Sequence, residues 1–202
     1  MNRAVFLDRD GVINAALYNP LEGKPDTPYR LEDFRLLAGV ARAVRAINEL
    51  GFLAVVVSNQ PGVAKGRCDR AFLETVNAEL ATRLGRQGAH LDAIYYCFHH
   101  PDAADESLRV DCDCRKPKPG LLLRAAQELN IDLAGSFMLG DSPTDIEAGL
   151  AAGCRTILVD GRRSCFRPGE AARMRPHWTA QNLPAAVEIV RCMQGERVWR
   201  SS

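Results

Sequence analysis

Ala4-Val5-Phe6-Leu7-Asp8-Arg9-Asp10-Gly11-Val12 is an apolar run that stops at two carboxylates one residue apart, with a glycine behind them. A short, continuous apolar run reads as a strand buried on both faces. The strand has to end where the charges begin, which puts Asp8 and Asp10 at its C-terminal tip. Open α/β sheets hold their ligands at such tips. Side chains two apart in extended backbone point the same way, so the two carboxylates address one site.

Outward from this tip, the pattern repeats. Apolar positions 40, 43, 44 and 47 predict a helix over 39–50, stopped by Gly51. Phe52 to Val57 reads as a second buried strand, with Ser58-Asn59-Gln60-Pro61-Gly62 at its tip. Asp69 is placed to cap a helix running to about Arg86. Ala93 to Phe98 reads as a third strand, Gly120 to Leu129 as a helix, and Phe137 to Leu139 as a fourth strand ending in Gly140-Asp141. A helix over 145–152, a fifth strand over 156–159 and a closing helix over 183–193 complete the reading. Alternating strands and helices predict a Rossmann-like α/β fold, a parallel sheet with helices on both faces. Residues 13–36 and 99–119 read as two long irregular loops, and Tyr18 and Tyr29 either line a site or pack at the surface.

With 202 residues, 47% hydrophobic and 25% charged, the chain suits one buried domain over 1–202. A net charge of +1 argues against a general nucleic-acid or membrane binder. No apolar run approaches the ~20 residues of a membrane span. The first strand begins too early for a signal peptide, so a cytoplasmic protein is expected. Arginines at 162, 163, 167, 173 and 175 make 161–176 a solvated loop or an anion-binding edge.

Three predicted tips carry related chemistry: Asp8 and Asp10, then Ser58 and Asn59, then Asp141 with Asp145 four residues on. A parallel sheet brings these tips to one edge. Carboxylates converging without thiols or imidazoles suit a hard cation, Mg2+ before others. Such an ion neutralises a phosphoryl group so that an anionic nucleophile, here a carboxylate, can approach it. A lysine is then needed to offset the remaining charge, and Lys116 and Lys118 are the candidates. Taken singly, Asp10 and Asp145 are also good helix caps.

Asp8-Arg9-Asp10-Gly11, Ser58-Asn59-Gln60, Arg115-Lys116 and Gly140-Asp141 with Asp145 resemble, in order, the four motifs of the haloacid dehalogenase superfamily of phosphatases. The resemblance covers about residues 4–160. It implies that Asp8 is the nucleophile and that Asp10 is the acid that protonates the leaving oxygen and then activates water. It further implies that Ser58 and Lys116 bind the phosphoryl group, and that Mg2+ is held by Asp8, the backbone carbonyl of Asp10, and Asp141. Asp145 matches a position that supports or replaces a metal ligand in many members.

The seven cysteines are an odd number in a chain without export signals, which argues against a disulfide framework. Cys97-x-His99 and Cys112-x-Cys114 form a set of three thiolates and one imidazole, the donor set of a closed structural Zn2+ site. His100 is the rival ligand. The polar loop over 100–111 has too little apolar surface to hold itself, and zinc would staple it.

The segments Asp8 to Asn14, Ser58 to Gly66, Tyr95 to Pro101 and Cys112 to Gly120 together resemble the D-glycero-D-manno-heptose 1,7-bisphosphate 7-phosphatases. Histidinol-phosphate phosphatases share most of them. By this resemblance there is no large cap domain, and three loops shape the pocket: 13–36, 60–66 and the zinc loop. Asn59, Gln60, Lys65 and Arg115 would face the substrate beyond its phosphate, with Arg115 suited to a second anionic group. Two departures stand out: 18–29 is long for the heptose enzymes, and Ser142 follows Asp141 where some relatives carry lysine. The expected partner is a small sugar phosphate, with no nucleic acid, no membrane and a monomeric enzyme. The remaining alternatives are a polynucleotide end-phosphatase, supported by the arginines alone, and a non-catalytic zinc-stapled binding module.

Overall fold

The computed structural model describes residues 1–19, 23–159 and 175–200. Its centre is β1 (Ala4–Leu7), in which every residue is buried. Parallel ladders join β1 to β4 (Leu53–Asn59) on one side and to β6 (Phe137–Gly140) on the other. Beyond β4 lies β5 (Ala93–Cys97), and beyond β6 lie β7 (Arg155–Val159) and β8 (Trp178–Ala180). The sheet order is β5-β4-β1-β6-β7-β8, and every pairing in it is parallel.

The two faces follow from alternation along the strands. Val5, Leu7, Val56 and Leu139 enter one core with α1 (Val40–Glu49), α3 (Arg70–Gly85) and α6 (Leu183–Arg200). Ala4, Phe6, Val55, Val57 and Met138 enter the other, with α4 (Gly120–Glu128) and α5 (Pro143–Ala151). Phe6 has no exposed surface. Truncating such a ring to alanine costs about 3–5 kcal/mol. Asp69 caps α3, its carboxylate accepting the Phe72 N–H at 2.7 Å.

Several expectations are corrected. The sheet has six strands, not five; β8 is only three residues long and pairs with Ile157–Val159. The segment 13–36 contains an antiparallel pair, β2 (Leu17–Asn19) with β3 (Lys24–Asp26), and a 3-10 turn at Leu31–Asp33. β4 runs two residues further than Val57, so Ser58 and Asn59 belong to the strand itself. A one-turn helix, α2 (Pro61–Ala64), follows it. The arginine-rich stretch falls outside the described residues except for its last two positions. No helix among the described residues is long and apolar enough to cross a membrane.

Candidate active site

The site stands at the C-terminal edge of the sheet. Asp8 continues the ladder of β1, its N–H bonding the Leu139 carbonyl at 3.0 Å, and its side chain leaves the sheet where the strand ends. Lys116 arrives from the loop before α4. Its Nζ lies 2.7 Å from Asp8 Oδ1, 2.5 Å from Asp145 Oδ1 and 2.9 Å from the Val57 carbonyl. Lys116 is only 3% exposed, so this ammonium is solvated by the protein alone. Lys118, the other candidate, is instead on the surface, 2.6 Å from Asp111.

Asp8, Asp141 and Asp145 bring carboxylate oxygens within 4.8 Å of one another. Two glycines allow this packing. A Cβ on Gly11, whose φ is +95°, would fall 1.9 Å from Asp141 Oδ2, and one on Gly140 would fall 2.1 Å from the Asp145 Cβ. Burial pushes the Asp8 carboxyl up to about 6; Lys116 opposes the shift, and Asp145 and Asp10 add to it. Burial, then the charges of Asp8 and Asp145, hold the Asp141 carboxyl well above the usual range. Burial works against the charge on Lys116, but Asp145 and Asp8 outweigh it and keep the ammonium above its ordinary value. Three carboxylates against one ammonium leave the cluster short of positive charge. Hard oxygen donors with that deficit fit Mg2+.

Asp145 serves two purposes. It forms a capping box with Ser142 at the start of α5, where its Oδ2 accepts from the Ser142 N–H at 3.1 Å and hydroxyl at 2.6 Å. Its other oxygen faces Lys116. Asp145 therefore caps α5 and also belongs to the buried cluster around Lys116.

The Asp10 side chain is turned away from this triad into a separate network. Its Oδ1 accepts from Asn14 Nδ2 at 2.8 Å and from the Thr27 hydroxyl at 3.1 Å. Its Oδ2 accepts from Gln60 Nε2 at 2.8 Å and from Arg9 at 3.1 Å. Sequence reasoning overlooked Arg9, Asn14 and Thr27, all of them buried. Alternation was the available signal for Arg9: when both neighbours leave the sheet toward a site, the residue between them turns into the protein.

Two residues expected to face the substrate also bind other parts of the site. The Asn59 amide clasps the backbone of Lys116, donating to its carbonyl at 3.0 Å and accepting its N–H at 3.1 Å. Gln60 is 1% exposed and bridges Asp10, Ser58 and Arg9. Both hold parts of the site together, and Asn59 is partly exposed beside Lys116. Ser58 is buried at the tip of β4, its Oγ accepting from Gln60 at 3.1 Å. Lys65 directly follows α2, and Arg115 donates to the His99 carbonyl at 3.0 Å. Tyr18 is exposed, whereas Tyr29 donates to Asp26 at 2.8 Å and packs against Gly62.

The second cluster lies beside the first. Cys97 ends β5, and Cys112 and Cys114 come from the loop that delivers Lys116. The Cys114 Sγ is 3.3 Å from the other two sulfurs and 3.4 Å from His99 Nδ1, and Cys97 and Cys112 are 3.6 Å apart. Four donors at these mutual spacings suit one small tetrahedral ion, and three sulfurs with one imidazole suit Zn2+. His100 is not among them; its Nδ1 accepts the Asp102 N–H at 3.0 Å.

Comparison with known proteins agrees with this geometry. Residues 113–186 match the HAD-hydrolase-like family model. The chain is 37% identical over 192 residues to the D-glycero-beta-D-manno-heptose-1,7-bisphosphate 7-phosphatase of Photorhabdus laumondii, covering 93% of this chain and 96% of that one. It is 42% identical over 158 residues to the enzyme of that name from Escherichia coli K12, covering 77% and 78%. The crystal structure of D,D-heptose 1,7-bisphosphate phosphatase from B. bronchiseptica, complexed with magnesium and phosphate, superposes with a TM-score of 0.76 at 29% identity, covering 96% of this chain and 99% of that one. A buried lysine among carboxylates at the tips of a parallel sheet, and identity at this level over nearly the whole length, place the chain in the D-glycero-beta-D-manno-heptose-1,7-bisphosphate 7-phosphatase family of HAD-like hydrolases.

Proposed function

We propose that the chain is a Mg2+-dependent phosphatase that removes the 7-phosphate of D-glycero-D-manno-heptose 1,7-bisphosphate, in the synthesis of nucleotide-activated heptose. The observation that carries the reading is the contact of Lys116 Nζ with Asp8 Oδ1, at 2.7 Å, inside a cluster of three carboxylates. It supports reading Asp8 as the nucleophile, Lys116 as the phosphate-binding cation and the carboxylates as a divalent-metal site, on a chain whose curated relatives carry that activity in their names.

In this reading an Asp8 oxygen attacks phosphorus, and the bond from phosphorus to the sugar oxygen breaks. Asp10 donates its proton to the departing oxygen, which leaves as an alcohol. The Asp10 carboxylate then takes a proton from water as that water attacks the aspartyl-phosphate, releasing inorganic phosphate and restoring Asp8. Lys116 and Ser58 hold the phosphoryl oxygens. Mg2+, held by Asp8, Asp141 and the Asp10 carbonyl, neutralises phosphoryl charge when bound. Asn59 and Gln60 keep Lys116 and Asp10 in place, while Lys65 and Arg115 meet the rest of the substrate. Cys97, His99, Cys112 and Cys114 would hold Zn2+, which would fix the loop that carries Arg115 and Lys116. We take the chain as one catalytic domain, working as a monomer in the cytoplasm where charged sugar phosphates are retained.

Purified protein with Mg2+ is assayed against the heptose bisphosphate, histidinol phosphate and an end-phosphorylated oligonucleotide. The reading expects kcat/KM for the bisphosphate to exceed the others by about tenfold or more. Preference for histidinol phosphate or for the oligonucleotide would overturn the substrate.

A further inference from the structure

Arg9 is the largest side chain with no exposed surface among the described residues. A buried guanidinium costs several kcal/mol unless its surroundings satisfy it. Here they do so incompletely: Nε has no hydrogen-bond partner among the described residues. One terminal nitrogen is directed at Asp10 and its neighbours, and the other at Tyr96. NH2 lies 3.1 Å and 3.3 Å from the two Asp10 oxygens, 2.5 Å from Thr27 Oγ1 and 3.0 Å from Gln60 Oε1. NH1 donates to the Tyr96 hydroxyl at 3.2 Å, and that hydroxyl donates to Asn77 Oδ1 at 2.5 Å. The guanidinium carbon sits over the Tyr96 ring, 5.5 Å from its centroid.

Thr27 links this anchor to the loop between β3 and α1. Its hydroxyl accepts from Arg9 and donates to Asp10 Oδ1 at 3.1 Å. Its backbone is fixed in turn by Asp26, whose carboxylate accepts the Thr27 N–H at 2.9 Å, the Tyr29 hydroxyl at 2.8 Å and Arg67 NH1 at 2.6 Å. An apolar core would fill this space without the desolvation penalty. The charge is kept where it fixes the carboxylate of Asp10.

We propose that Arg9 and Thr27 are positioning residues for proton transfer by Asp10, holding its carboxylate in the one orientation that reaches the leaving oxygen. The inference rests on the acid role given to Asp10 above. Neither residue touches substrate; both act through Asp10, so their loss weakens the proton donation and leaves the attack by Asp8 in place.

The kcat/KM for phosphoryl transfer separates these steps. A sugar phosphate leaves as an alcohol and needs the proton, whereas p-nitrophenyl phosphate releases a stable phenolate and hardly needs it. Thr27→Val keeps the volume and removes the hydroxyl. It is expected to lower kcat/KM about tenfold or more on the heptose bisphosphate and several-fold less on p-nitrophenyl phosphate. Thr27→Ser, which keeps the hydroxyl, should recover most of the loss, and Arg9→Lys should show the same split if it folds. Asp10→Asn is the reference and should show the split at its largest. Equal losses on both substrates in Thr27→Val, or none, with the split intact in Asp10→Asn, overturn the positioning role. Equal losses in Asp10→Asn itself overturn the acid assignment, and the inference with it.

Discussion

Lys116 Nζ and Asp8 Oδ1 lie 2.7 Å apart although 108 positions separate them in the chain. The contact is made inside the protein, where Lys116 also meets Asp145 and the Val57 carbonyl. Replacing the lysine leaves Asp8 and Asp145 buried and facing each other without their shared cation. Lys116→Met is expected to lower kcat by about 10³-fold, the scale of losing a main electrostatic stabiliser of the reacting group. It should also destabilise the fold by about 3 kcal/mol, because the unpaired charges stay behind. Steady-state rates and urea unfolding check both, and near-native rates would remove Lys116 from the chemistry.

The acidic cluster makes the magnesium-free protein sensitive to pH in a defined direction. Burial raises the folded-state pKa of Asp8 to about 6, and that of Asp141 well above its ordinary value. A carboxyl that ionises later in the folded state than in the unfolded state binds more protons when folded. Between about pH 4 and 6, and higher for Asp141, its contribution to stability therefore falls as pH rises. Asp141→Asn removes one of the repelling charges. In magnesium-free buffer it is expected to stabilise the protein at pH 8 by about 1–3 kcal/mol, with the gain shrinking toward pH 5. Mg2+ should raise the melting temperature of the unmodified protein at pH 8 and do little for the variant.

The Cys97–Cys114 cluster offers a test of which histidine completes it. His99 Nδ1 lies 3.4 Å from Cys114 Sγ, whereas His100 Nδ1 is taken by the Asp102 N–H. The purified chain should carry one zinc. His99→Ala should bind it far more weakly and lose stability, since metal-site free energy is folding free energy where a polar loop depends on it. His100→Ala should retain the ion. Metal analysis by mass spectrometry decides, and zinc retained in His99→Ala but lost in His100→Ala would reverse the assignment.

The parts legible in the sequence are those written in short, local patterns. Val5-Phe6-Leu7 ending in Asp8 shows both the strand and its tip, and the Cys-x-His and Cys-x-Cys pairs show their own cluster. The parts that escaped depend on partners far along the chain. Trp178–Ala180 is too short to declare itself and becomes a strand only by pairing with β7. Lys24-Pro25-Asp26 reads as loop because proline cannot donate to a ladder, yet it pairs with Leu17–Asn19 at the surface. The resemblance turns Asn59 toward the substrate, but it does not show what else the side chain holds. Its amide is used on the backbone of Lys116, 57 positions away, which no local pattern reveals. Alternation could place Arg9 inside, but its partner Thr27, 18 positions on, could not be read from any local pattern.

Gly11 offers a way to disturb the metal without touching a ligand. Its φ of +95° disfavours any side chain, and a Cβ there would fall 1.9 Å from Asp141 Oδ2. Gly140 is no substitute for the purpose, since its Cβ would strike Asp145, which also caps α5. In Gly11→Ala the Asp141 carboxylate has to move from its present position to clear the new Cβ. The expected result is a folded protein whose requirement for Mg2+ rises by about tenfold or more, with kcat at saturating metal falling less than in Asp141→Asn. The strain itself costs about 1–3 kcal/mol. Titration of activity with Mg2+, alongside circular dichroism, separates this from unfolding. An unchanged Mg2+ requirement in a folded variant would mean that Asp141 does not hold the metal where the triad places it.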